Sequence, residues 1–176
     1  METETGGDPF APEVVVIGLG NRLRRDEGLG VCALERLLAR YNIAPGVQLV
    51  DGGTLGLDLL AYVEGARKLL VLDATLTDDA PGALMRLVGE EVPAYFGMGG
   101  SSHEIGLPDL LAVTRLRGTA PEEVVALGLQ PHTIELGWEL SPVVASRIDE
   151  LADAAARQLT AWGYPATLKA EVSAHA

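Results

Sequence analysis

Two carboxylates and one imidazole, far apart in the chain, stand where they could share a cation. Val14-Val15-Val16-Ile17 is a β-branched run closed by Gly18-Leu19-Gly20-Asn21, with Asp26 and Glu27 shortly after it. A later apolar run, Lys68 to Leu72, ends at Asp73, and His103 stands at the predicted start of a helix after the flexible loop Gly97-Met98-Gly99-Gly100-Ser101-Ser102. Ligands of open α/β sheets gather at the carboxyl ends of strands, so these side chains are expected to converge on one rim. Two carboxylates and a histidine suit a borderline divalent ion such as Ni²⁺ or Zn²⁺ and leave positions open for water or substrate. The bland alternative is that strand-end carboxylates cap helices. Asp26 is placed to do so for the helix that follows it.

Other chemistries fit the same residues less well. Gly18-x-Gly20 follows a strand and precedes a helix, and Asp51 ends the second strand, as in a dinucleotide site. However, Leu23 occupies the place of the third glycine. Asp26 and Glu27 would also oppose a pyrophosphate at the helix N-terminus. No G-x-S-x-G elbow is present, and Ser101-Ser102-His103 are merely neighbours in sequence. Cys32 falls at an apolar position of the first helix and is expected to be a small buried hydrophobe. His132 reads as a surface residue, His175 as part of a tail, and Arg22, Arg24 and Arg25 as a solvated loop face.

The elements that must position these groups alternate. Strands are predicted at Val14–Ile17, Val47–Val50, Lys68–Leu72, Ala83–Val88 and Val124–Leu129. Helices are predicted at Asp26–Tyr41, Leu57–Glu64, His103 or Glu104 to Leu116 and, opened by Ser141 as cap and Pro142 at the first position, on to Trp162. The Asp78-Asp79-Ala80-Pro81-Gly82 link is too short for a parallel crossover, which predicts one antiparallel strand at the sheet edge. The fold class is therefore α/β: a single three-layer α/β/α domain over 14–163, with a mostly parallel sheet of about five strands and helices on both faces. There is no internal repeat or interdomain linker. Residues 1–13 read as a disordered leader, lacking the positive and apolar regions of a signal peptide, and 164–176 as a tail.

Composition narrows the function. The 176 residues carry 13 Lys+Arg against 25 Asp+Glu, a formal net charge of −12. That field repels a phosphate backbone, so no nucleic-acid partner is expected. No apolar run is long enough for a membrane span. One cysteine excludes an intrachain disulfide framework and a Cys-rich metal site and fits a reducing cytoplasm.

Taken together, the residues from Val14 to Gly30 closely resemble the N-terminal signature of the [NiFe]-hydrogenase maturation endopeptidases. The likeness continues in Asp51-Gly52-Gly53-Thr54, Leu72-Asp73-Ala74, Ser102-His103-Glu104-Ile105-Gly106-Leu107 and Gly128-Leu129-Gln130-Pro131 with Leu140-Ser141-Pro142-Val143-Val144. It spans Val14 to Gly163 with the motifs in the same order. It implies an endopeptidase that removes the C-terminal extension of the hydrogenase large-subunit precursor after nickel insertion. It also places Glu27, Asp73 and His103 on the family's three metal-contacting positions. The nickel is expected to arrive with the precursor, so the isolated protein would hold none. Asp51 matches a further acidic position, with a catalytic role in orienting substrate or activating water, or else a structural one anchoring the Gly52-Gly53 turn. The alternative to an enzyme is a non-catalytic assembly chaperone that docks on the nickel-loaded precursor.

Overall fold

The computed structural model describes residues 12–96 and 106–170. Strands β1 (Val14–Leu19), β4 (Lys68–Ala74) and β6 (Glu123–Leu129) fill the middle of a five-stranded sheet ordered β3-β1-β4-β6-β5, with β3 (Val47–Gly53) and β5 (Leu84–Val88) at its edges. Strands covered by helices on both faces must be apolar throughout. Accordingly, Val14 to Ile17 and Leu69 to Leu72 are each at most 1 % exposed. The pairings β1–β3, β1–β4 and β4–β6 are parallel. β5 runs antiparallel to β6, with Leu84 opposite Leu129, as the short link from β4 dictates. The Gly82 and Gln130 N–H groups donate to the Gln130 and Ala83 carbonyls at 2.7 and 2.9 Å and close that corner.

The two-residue period of the strands divides the core. Val14, Val16, Leu70 and Leu72 pack under helices α1 (Leu29–Arg40) and α6 (Ile148–Ala161). Val15, Ile17, Leu69 and Val71 pack on the other face under α2 (Leu60–Val63), α3 (Glu91–Tyr95) and α4 (Leu107–Leu116). The expected three layers are present. No described helix is long and apolar enough to cross a membrane.

Several local expectations differ. Asp26 does not cap the first helix. A 3-10 turn, Arg25–Gly28, precedes α1, whose cap position is Gly28 with no side-chain hydrogen bond, because the Asp26 carboxylate is engaged elsewhere. The long final helix is two pieces, α5 (Pro142–Ala145) and α6, and the Ser141 hydroxyl donates to Asp26 rather than capping α5. The third predicted helix is described from Leu107, with Asp109 accepting from the Gly106 N–H at 3.0 Å. The expected tail holds structure near its start: β7 (Ala166–Leu168) pairs antiparallel with β2 (Tyr41–Ile43). At the other end, Glu13 of the expected leader is fixed, its carbonyl accepting from the Arg67 and Lys68 N–H groups. Residues 1–11 and 171–176 lie outside the described residues. Cys32 is half-buried rather than buried.

One contact brings α1 close to the site edge of the sheet. A Cβ on Gly30 would lie 2.1 Å from the Leu72 carbonyl oxygen and 2.4 Å from that of Leu19. Only glycine lets the helix sit this near the ends of β1 and β4. Gly30→Ala would gain about 1 kcal/mol of helix propensity but must push the helix off two backbone carbonyls. Overpacking of this kind costs ~1–3 kcal/mol or more. We expect the clash to win and the urea midpoint of Gly30→Ala to fall; a midpoint at or above the parent's would show that the helix can shift without penalty.

Candidate functional site

Asp73 is the penultimate residue of β4, paired in register with Gly128 of β6 and only 3 % exposed. The period that sends Val71 into the α4-side core sends Asp73 to the same face. There it forms part of the wall of an otherwise largely apolar cleft. The cleft encloses about 480 Å³ counted to its open mouth, and its lining includes Ile17, Leu19, Phe96, Leu107 and Leu110. The Ala74 N–H donates to Asp73 Oδ1 at 2.7 Å. Burial pushes the Asp73 carboxyl up to about 7; the Ala74 N–H works against this, and the nearby Glu27 carboxylate adds to it. Burial first, then the charges of Asp73 and Asp79, also raise the Tyr95 phenol, whose hydroxyl donates to the Leu76 carbonyl.

Glu27 belongs to the 3-10 turn after β1 and is 6 % exposed. Its Oε2 pairs with Arg24 Nε at 3.2 Å, and the same Nε donates to the Ile134 carbonyl at 3.2 Å. The turn is tight. Gly20 has φ +124°, and a Cβ there would lie 1.8 Å from the Glu27 carbonyl oxygen. Arg25 adopts φ 46°, a left-handed conformation rare for a non-glycine residue. Its N–H donates to the Gly137 carbonyl at 2.9 Å, and Arg24 forms a parallel bridge with Gly137.

Between these residues lies Asp26, fully buried. Its carboxylate accepts from Ser141 N–H and Ser141 Oγ, both at 2.7 Å, from His132 N–H at 2.9 Å and from Thr133 N–H at 3.1 Å. Its own N–H donates to the Thr133 carbonyl at 3.2 Å. A buried charge is tolerable when so fully hydrogen-bonded. The carboxylate therefore clamps the 132–141 segment to the loop that carries Glu27.

Of the expected site residues, Glu27 and Asp73 come together. Asp51 is exposed and lies on the other face of the sheet: Leu49, two residues before it, packs with the α1-side core, and Asp51 acts electrostatically on Arg22 and Cys32. His103 lies outside the described residues, among which no three His, Cys, Asp or Glu side chains form a group that could hold a metal ion. Burial pushes the Cys32 thiol up, so it is not an activated nucleophile. The His132 side chain is exposed, as expected. Arg24, the Asp26 clamp and Tyr95 are site neighbours that the strand-end rule does not find. Arg24 and Asp26 lie beside the predicted Glu27 in sequence; Tyr95 lies near no predicted site residue.

Comparison with known proteins gives a consistent result. A family profile described as hydrogenase maturation protease matches residues 31–158. The chain is 40 % identical over 167 residues to the hydrogenase expression/formation protein HupD of Rhodobacter capsulatus, covering 93 % of this chain and 80 % of that one. It is 37 % identical over 137 residues to the hydrogenase 2 maturation protease of Escherichia coli K12, covering 77 % and 84 %. Its fold superposes on the hydrogenase maturating endopeptidase HybD from E. coli with a TM-score of 0.85 at 34 % identity, covering 89 % of this chain and 98 % of that structure.

Two expectations follow from the geometry. Asp26→Ala would strand the buried donors of Ser141 and the 132–133 backbone, and should cost about 3 kcal/mol or more in denaturant unfolding; a parent-like midpoint would refute the clamp. Asp73 keeps its proton to about pH 7 when folded but ionises at the ordinary carboxyl value of 3.8 when unfolded. Between those values the folded state binds more protons, so stability falls as pH rises through this window and levels off above it. Asp73→Asn removes that loss. The variant should match the parent near pH 4 and exceed it at pH 8 by on the order of 2 kcal/mol. An equal difference at both pH values would contradict the raised carboxyl.

Proposed function

Because the chain belongs to the hydrogenase maturation protease family, we propose that it is the endopeptidase that removes the C-terminal extension of a [NiFe]-hydrogenase large-subunit precursor once nickel has been inserted. The observation that supports this reading is that Glu27, in the turn after β1, lies near enough to Asp73, close to the end of β4, for its charge to raise that carboxyl. A cation brought by the precursor would draw the Asp73 carboxyl into its charged form beside Glu27 and offset the repulsion between them. Glu27, Asp73 and, by the family resemblance, His103 would complete the coordination of the precursor's nickel and so test whether insertion has occurred. Borderline ions accept such mixed oxygen and nitrogen donors, and the absence of thiolates keeps affinity for free metal modest.

Hydrolysis then adds water to the scissile carbonyl carbon and breaks the C–N bond, the amine leaving with a proton. A divalent ion carried by the substrate would supply carbonyl polarisation and water activation. Glu27, fixed by its turn and by Arg24, and Asp73, fixed by its strand, hold that ion in place. By the family resemblance Asp51 would help orient the substrate, from the opposite face of the sheet, rather than share the ion. The proposed setting is the cytoplasm, which suits a chain whose single cysteine is a free thiol.

The test is incubation of purified protein with nickel-loaded precursor, followed by electrophoresis. The parent should shorten the precursor. Glu27→Gln, Asp73→Asn and His103→Ala should each stay folded and reduce trimming by at least about 100-fold, a loss expected for groups that hold the reacting centre in position. Normal trimming by all three variants would sink the metal-recognition role. A stable, uncut complex with the parent would instead identify a chaperone.

A further inference from the structure

The loops framing Glu27 and Asp73 carry many exposed apolar side chains. Leu23 follows β1, Leu55 and Leu57 follow β3, Leu76 follows β4, and Leu136 and Trp138 follow β6. All six therefore lie beyond the carboxyl ends of parallel strands, the edge at which Glu27 and Asp73 meet. Leu136 is 82 % and Trp138 80 % exposed. A scattered exposed leucine needs no account. A collar of large apolar residues around a candidate site marks an interaction surface.

The part of the collar formed by Leu23, Leu136 and Trp138 is built to hold its shape. Arg25 N–H donates to the Gly137 carbonyl and Gly137 N–H to the Leu23 carbonyl, both at 2.9 Å. These bonds set the backbone of Leu23 beside the segment that carries Leu136 and Trp138. Behind them the Asp26 carboxylate pins the same segment at His132, Thr133 and Ser141. Arg24, which holds the Ile134 carbonyl, also pairs with Glu27, so the apolar rim and the acidic pair are continuous. A tryptophan held out on a pinned backbone offers a large contact area to a partner. A polypeptide brought to Asp73 must also pass the loops that frame it.

Resting on the functional reading above, we propose that Leu23, Leu136 and Trp138 form the docking surface that grips an apolar stretch of the hydrogenase large-subunit precursor. Binding of purified nickel-loaded precursor to the immobilised protein tests this, with trimming followed in parallel. Trp138→Ala should weaken binding by at least about tenfold, and Leu136→Ser should weaken it in the same direction, as for an interface anchor. Leu116→Ala, a control at the end of α4 where the parent leucine is 88 % exposed, should bind like the parent. Thermal melts of all three variants should coincide with the parent's, because each side chain is largely solvated. Parent-like binding by Trp138→Ala, equal weakening by Leu116→Ala, or no binding by the parent would overturn the docking surface. A parent that binds in a Trp138-dependent way but does not trim would overturn the endopeptidase reading and leave the docking surface standing.

Discussion

The site depends on one buried carboxylate that is not itself expected to touch substrate. Asp26 has no access to water, and its charge is satisfied only when three residues more than a hundred positions away supply four donors. If the 132–141 segment moves off, an ionised group is left stranded in the interior, one of the costliest states a fold can adopt. The arrangement therefore behaves as all or none. Since Glu27 is the next residue, whatever fixes Asp26 also fixes the start of the acidic pair. The left-handed backbone of Arg25 is a local strain of the kind that persists only where the surroundings over-determine it.

The pair itself opposes stability. Asp73 is driven toward its neutral form by burial and by Glu27, and nothing in the packing of the core requires an acid at that position. The two hydrophobic layers, anchored by β1 and β4, are extensive enough to carry this load. Perturbed carboxyls in a cleft are a mark of functional sites. Under the proposed function, a substrate that delivers positive charge would relieve that discomfort.

Much of the framework was legible in the residues. The β-branched run at Val14 and the apolar run at Leu69 name the central strands. The short link before Leu84 dictates the antiparallel edge. Glu27 and Asp73 were reached by the strand-end rule together with the family likeness. What failed was local propensity overruled by distant partners. Asp26 and Ser141 both have the chemistry of helix caps, yet they bond to each other across 115 residues. The strands Tyr41–Ile43 and Ala166–Leu168 are three residues each, too short to show a period. Asp51 was grouped with the site by the family likeness. The alternation from Leu49 assigns it to the opposite face, a signal the strand-end rule ignores.

The reversed direction of β5 has a topological effect on the cleft. Had that strand run parallel to its neighbour, the chain would have left it at the site edge, and the connection to β6 would have led away from the acids. Instead the chain exits at Val88, at the remote edge, and must travel the length of the domain before α4 can begin. Phe96, just past α3, and Gly106, just before α4, both line the cleft. One flipped strand thus turns the chain back through α3, and Phe96 comes to the cleft wall without a further strand crossing the sheet that carries Asp73.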